Sequence, residues 1–195
     1  MRTFDLSGVP GVPETALTDP LLATLPDNLA PAPWAVRCSA LVWWGRAGDE
    51  ATAALPPALR ERASAQVVVG GLVRYEDTPV GAYDEVFGVV GYRLGRSVGS
   101  NVAFMAVDSP ASLVGGRTNW SMPKTMATFE GAPEGGATFG ATGDLDSAWT
   151  VSATAGRLGP PLPVLSRARV LQQFPDGSLR GSRLSARGWM RPTRV

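Results

Sequence analysis

One residue dominates any search of this chain for side chains that could do covalent or acid–base chemistry. Seventeen of the eighteen Lys and Arg residues are arginine, so Lys124 is the only lysine. It closes the stretch Gly115-Gly116-Arg117-Thr118-Asn119-Trp120-Ser121-Met122-Pro123-Lys124. An amine kept where guanidinium takes every other basic position suggests a task that guanidinium cannot do. Arginine stays protonated in any protein site, whereas a buried lysine can lose its proton, act as a base or form a Schiff base. At its ordinary pKa a lysine is only about 0.04% free amine at pH 7, so a nucleophilic lysine needs surroundings that disfavour the charged form. Trp120, Met122, Met126 and Phe129 flank Lys124 and would make such an apolar pocket. They read equally as ordinary core, with the lysine reaching outward along its methylene stem. Periodicity leaves both open.

The rest of the composition removes chemistries. There is no histidine, hence no Ser-His or Cys-His pair, no imidazole base and no His-ligated metal. The single cysteine, Cys38, makes no internal disulfide and fits no metal spacing, so nothing points to an oxidising compartment. Pro123 precedes the lysine, so the phosphate-loop pattern fails. A net charge of +1, with arginines scattered between acids and Gly/Pro, gives no footprint for nucleic acid or an anionic membrane. The apolar runs are short of a membrane span, and Met1 to Leu6 lacks the pattern of a signal peptide. A cytoplasmic protein with no metal and no cofactor is expected.

The elements that must position Lys124 read mainly as strands. Residues 1–33, with prolines at 10, 13, 20, 26, 31 and 33, form an irregular N-terminal arm, and residues 34–195 one domain. Cys38 to Trp44 reads as a first strand. Short helices follow from Gly48-Asp49-Glu50, whose acids suit a helix start, and over Ala58 to Ala65. Gln66 to Tyr75 is a β-branched strand whose Gly pair suggests a bulge or bend. Tyr83 to Arg93 and Val98 to Val107 are further strands, and Asp108-Ser109-Pro110 starts a helix reaching about Gly115. Thr125 to Phe129, Ala137 to Thr142, Ala148 to Ala155, Arg167 to Phe174 and Leu179 to Gly188 complete the strands, the last two joined by a Pro175-Asp176-Gly177 turn. So many short strands with few short helices point to a mainly β (α+β) fold, a curved antiparallel barrel.

Gly81-Ala82-Tyr83-Asp84-Glu85, Val107-Asp108-Ser109-Pro110-Ala111, Gly115-Gly116-Arg117 and Trp120-Ser121-Met122-Pro123-Lys124, in this order and spacing, resemble the acetoacetate decarboxylase family. The likeness runs from about Val42 to Arg194. It implies a curved β-barrel, a homo-oligomer, and a lysine that forms a Schiff base with the ketone of a keto acid. The iminium then accepts the electrons released on decarboxylation. Acetoacetate decarboxylase is itself an example of a lysine activated by desolvation or by a neighbouring cation.

Carried over by position, Lys124 is the implied nucleophile and Glu85 the implied pocket glutamate. Without the resemblance, Glu85 reads more readily as a solvated turn acid. Arg46 is the candidate for an arginine pairing Glu85 or the substrate carboxylate. Met105, Trp120 and Met122 are candidates to line the substrate pocket, and Arg117 a structural part of its motif. Thr125 stands where the family's decarboxylases have a second lysine. That departure leaves aldol-type or dehydration chemistry open beside decarboxylation. The family's C-terminal closing element is expected to be absent or to come from a partner subunit. The function expected is a lyase acting on a small oxo acid. The alternative is a non-catalytic barrel binding a small hydrophobic or carboxylate-bearing ligand with Lys124 as a fixed cation.

Overall fold

The computed structural model describes residues 4–134, 136–143, 148–157 and 159–194; the first three residues of the expected arm and Val195 of the expected domain lie outside them. A 3₁₀ turn at Pro13–Thr15 and α1 (Asp19–Leu22) punctuate the N-terminal segment. There follow β1 (Arg37–Arg46), α2 (Asp49–Ala53), α3 (Pro57–Arg60), β2 (Ser64–Asp77), β3 (Tyr83–Leu94), β4 (Ser97–Val107) and α4 (Pro110–Trp120). The chain continues as β5 (Lys124–Gly131), β6 (Thr138–Gly143), β7 (Thr150–Thr154), β8 (Gly156–Arg157), β9 (Leu162–Gln173), β10 (Leu179–Met190) and β11 (Thr193–Arg194).

Strands β1 to β4 form an antiparallel meander, which alternating apolar residues and short turns favour. Strand β4 then branches. Its last residues pair in parallel with β5, from Met105↔Lys124 to Val107↔Met126, while Ser100 pairs in parallel with Val170 of β9. Antiparallel β6 and β7 extend from β5, and β10 lies outside β9. The result is the expected curved, mainly β architecture with a few short helices, as a nearly closed barrel-like sheet. Its two parallel pairings depart from the purely antiparallel expectation: α4 carries the chain back across the sheet before β5 begins, and β9 returns beside β4 after β6 to β8.

Several local expectations change for physical reasons. The Gly70-Gly71 pair is in register, and the irregularity lies at Ala65/Val67. The two glycines instead leave room for rings: a Cβ at Gly70 would meet the Trp43 indole and one at Gly71 the Phe87 ring. The second helix is only the four residues of α3, since Ser64 already enters β2. The helix expected to stop near Gly115 runs on to Trp120, because its glycines serve close packing. Strand β9 starts at Leu162, five residues before the expected Arg167.

Two layers share the sheet. Leu41, Leu72, Val86, Ala106, Ala127, Phe139, Ala141 and Ala153 pack between the meander and the folded-over β5–β7. On the other side of the sheet, α4 and the N-terminal segment cover Tyr83 and Val107 through Leu113, Val114, Leu17, Leu21 and Leu25. Two surface hollows of about 540 and 550 Å³ lie along β5–β7, lined by residues such as Trp43, Val151, Thr128 and Gly140, away from Lys124.

Gln172 holds the branch together. It is buried, accepts from Asn101 Nδ2 and the Val102 N–H, and donates to the carbonyls of Val102 and Ser121. One side-chain amide thus stands in for a peptide unit where β9 leaves β4, and anchors the end of α4 as well. Replacing Gln172 by Met keeps its volume but leaves these groups unpaired, each costing about 1–3 kcal/mol. Four such groups put the expected loss at roughly 4 kcal/mol or more, read as a lower urea midpoint.

Candidate active site

The local sequence places Lys124 through a helix stop. Ser109 caps α4 by accepting from the Ser112 N–H, and Pro110 occupies its first turn. Ser121 ends the helix in a left-handed conformation (φ 55°), with its N–H and that of Met122 returning to the carbonyls of Arg117 and Gly116. That non-glycine turn is held by Ser121 Oγ donating to Gln173 O. Three residues later the strand begins with Lys124, which crosses directly under the helix. A Cβ at Gly116 would lie 2.6 Å from Lys124 Cδ and Cε, so only glycine lets the side chain pass. Arg117, one residue on, secures the crossing. Its guanidinium donates to the carbonyls of Lys124, Leu6 and Thr15, tying strand, helix and N-terminal segment together. Burial pushes it down to about 10, which still leaves it cationic at neutral pH.

The amine is 3% exposed as a residue, and so is Glu85. Lys124 Nζ donates to Glu85 Oε2 at 2.8 Å and to Ser112 Oγ at 2.8 Å. It lies 5.1 Å from the centre of the Tyr83 ring. The Tyr75 hydroxyl donates to Glu85 Oε1 at 3.2 Å, and the Tyr83 ring stacks on that of Tyr75, 4.5 Å between centres. Ser112, Lys124, Glu85 and Tyr75 therefore form one hydrogen-bonded circuit, with the Tyr83 ring packed against it. Burial first, then the Glu85 charge, raises both phenols well above the ordinary tyrosine value, so both stay neutral. Such a circuit can hold an amine in place and move a proton between it and a carboxylate.

Of the residues singled out in the sequence, Lys124 and Glu85 come together. Met105 is opposite Lys124 in the β4–β5 register and packs with Met122, Phe87, Val102 and Val170 on the same side of the sheet. Trp120 does not join them. As the last residue of α4 it meets Trp34 edge to face, 5.1 Å between ring centres, on the N-terminal segment. Arg46 does not pair with Glu85 either. It is exposed at the end of β1 opposite Val67, while Glu85 pairs with Val73 six residues along β2, roughly 20 Å away. Thr125 points to the other face of the strand from Lys124. It packs on the Ala127 side, so residue 125 is not beside the amine.

Tyr75, Tyr83 and Ser112 were not singled out. The tyrosines are equidistant from the centre of the β2–β3 turn and so pair directly. Ser112 and Gly116 are one helical turn apart on the face toward Lys124. Both spacings are readable, but only once the turn and the full helix are known. Among the described residues, no group of three His, Cys, Asp or Glu is placed to hold a metal ion, and no helix is long and apolar enough to cross a membrane.

The family model for acetoacetate decarboxylase matches residues 22–180, which include every member of this circuit. The chain belongs to the acetoacetate decarboxylase family. No curated protein matches it. Among solved structures it is similar to the acetoacetate decarboxylase of Legionella pneumophila subsp. pneumophila str. Philadelphia 1, with 22% identity, 83% of this chain and 68% of that one covered, and a TM-score of 0.56. A second acetoacetate decarboxylase structure shares 18% identity over 91% of this chain and 83% of its own, TM-score 0.60. The enduracididine biosynthesis enzyme MppR, complexed with the condensation product of pyruvate and imidazole 4-carboxaldehyde, shares 14% identity over 80% of this chain and 70% of its own, TM-score 0.50. At these identities the family's barrel fold is what the likeness carries.

Breaking a buried ion pair by removing one partner costs about 3–5 kcal/mol. Glu85→Leu and Lys124→Met should each destabilise by that amount, and the double substitution by about 1–3 kcal/mol less than their sum. Strict additivity in urea unfolding would mean the pair is not formed. Thr125 Oγ1 is buried without a hydrogen-bond partner. Thr125→Val should therefore raise stability by about 1 kcal/mol and leave the Lys124–Glu85 coupling unchanged.

Proposed function

We propose that the chain is a lyase that acts on a small oxo acid through a Schiff base on Lys124. The reading is carried by one observation: the only lysine of the chain is buried with its Nζ 2.8 Å from a carboxylate that has few other tasks. Family membership and the likeness to acetoacetate decarboxylases and MppR support it.

In this reading Glu85 takes a proton from the Lys124 ammonium along their hydrogen bond. The freed amine adds its lone pair to the ketone carbon, and the carbonyl oxygen takes up a proton. Loss of that oxygen as water gives an iminium. In decarboxylation the bond to the carboxylate carbon then breaks, its electron pair moves toward the iminium nitrogen, and carbon dioxide leaves. Protonation of the resulting enamine carbon and hydrolysis by water return the product ketone and Lys124. Glu85 is the group positioned to hold and return the proton, Tyr75 to donate to Glu85, and Ser112 to aim the amine. The same iminium serves aldol-type or dehydration chemistry. Because residue 125 faces away from the amine, Thr125 does not by itself disfavour decarboxylation. Met105 and Met122 would form the apolar wall on which the substrate's carbon chain rests.

Sodium borohydride added with acetoacetate, pyruvate and related oxo acids should give a covalent adduct visible by intact mass. The adduct should map to Lys124 and be lost in Lys124→Arg, while Glu85→Gln slows its formation by roughly 10²-fold or more. Absence of any Lys124-dependent adduct would leave the non-catalytic ligand-binding barrel as the better account.

A further inference from the structure

A line of residues on the Lys124 face of the sheet leads away from the amine. The register sets Lys124 opposite Met105, Met105 opposite Phe87, Phe87 opposite Gly71 and Gly71 opposite Val42, one residue from each of β5, β4, β3, β2 and β1. Residues opposite one another across strands share a face, so the line runs straight over one side of the sheet. Burial falls along it. Lys124 and Met105 are buried, Phe87 is half-buried, and Val42 is exposed on the free edge strand. Gly71 shapes the middle. The Phe87 ring leans across it, and a Cβ there would come within 2.4 Å of that ring. The ring is thus an apolar floor between the amine and β1.

Other directions away from the amine are filled. Helix α4 lies over it, with Gly116 against Lys124 Cδ and Cε and Ser112 against Nζ. Leu17, Leu21 and Leu25 of the N-terminal segment pack on the Tyr83 and Val107 side. Val102 and Val170 pack on Met105 from the β9 side. Toward β1 the face stays open, with Val42 43% and Trp44 71% exposed. Charge on the line is confined to its buried end, where Lys124 meets Glu85. At the other end Ala40, Val42 and Trp44 are uncharged, and Arg46 comes only beyond them.

We propose that the oxo acid taken by Lys124 carries an extended apolar tail, which lies over Met105 and the Phe87 ring and ends on Val42 and Trp44. The proposal rests on the Schiff-base reading for the position of the carbonyl and adds what the remainder of the substrate must be. A ligand polar and reactive at one end and apolar at the other matches a site charged at its buried end and apolar at its open one. From β3, which carries Glu85 and Phe87, to β1 is two strand spacings, roughly 10 Å. A tail of several methylenes covers that span, whereas the methyl group of acetoacetate would leave Val42 and Trp44 untouched. Val42 and Trp44 are then specificity-determining residues that touch the tail and take no part in the chemistry.

The test is borohydride trapping of the full chain with acetoacetate, 3-oxohexanoate, 3-oxooctanoate and 3-oxodecanoate, reading by intact mass the concentration that half-saturates the Lys124 adduct. That concentration should fall roughly three- to fourfold for each added methylene. Val42→Asp places a charge under the tail and should shrink the preference for 3-oxodecanoate over acetoacetate at least roughly tenfold. Val42→Ser, a milder change at the same exposed site, should shrink it less. Equal half-saturation along the series, or a chain-length preference that both variants leave intact, would overturn the inference while the Schiff base stood. Calorimetry with decanoate, which forms no imine, separates the two claims. Val42-dependent binding of decanoate with no adduct from any oxo acid would remove the Schiff-base reading and keep the tail site. Neither binding nor adduct would remove both.

Discussion

Everything around α4 answers to one constraint: an ammonium and a carboxylate are held in contact where little water reaches. Taking each ion out of water costs several kcal/mol, and the attraction between them offsets this only when the remaining donors and acceptors are also satisfied. Here they are. Glu85 has Lys124 on one oxygen and Tyr75 on the other, and Lys124 has Ser112 as its second acceptor. The tyrosines remain neutral, so they add hydrogen bonds without adding charge.

The fold supplies this pair from four separate elements. Tyr75 is near the end of β2, Tyr83 and Glu85 open β3, Ser112 sits in the first turn of α4 and Lys124 opens β5. Their meeting depends on the chain crossing the sheet once, in a helix long enough to return beside β4 and narrow enough at Gly116 to let a lysine beneath it. Arg117 secures that crossing from outside the circuit by holding three backbone carbonyls. Gln172 does the same for the branch of β9. Both are buried polar side chains that replace missing backbone partners. That explains how an open, branching sheet keeps its interior hydrogen bonds satisfied.

The same branching leaves two edges of the sheet uncovered, one acidic in its surroundings and one basic. The barrel is nearly closed around its interior core but not around the Lys124 side, where the Met105 cluster continues onto the ribbon.

Much of this was legible in the residues. A solitary lysine in a chain without histidine singles itself out by elimination, and the turn-punctuated β-branched runs define most strands to within a few residues. Glu85 became legible through the family pattern. Other features depended on packing alone. Whether glycines at 115 and 116 end a helix or let it pass close to Trp34 and Lys124 is decided by what lies against them. Trp120 belongs to a motif and Arg46 was placed by the family's pattern, but both are carried away from the amine, by the extra turn of α4 and by β1's register. Thr125 is adjacent to Lys124 in the chain and on the opposite face in space, since successive strand residues point apart. Residue types and spacing therefore determined which group could do chemistry and that strands would carry it. Only the tertiary structure decided its neighbours, because parallel pairing and helix crossing join residues that no local period relates.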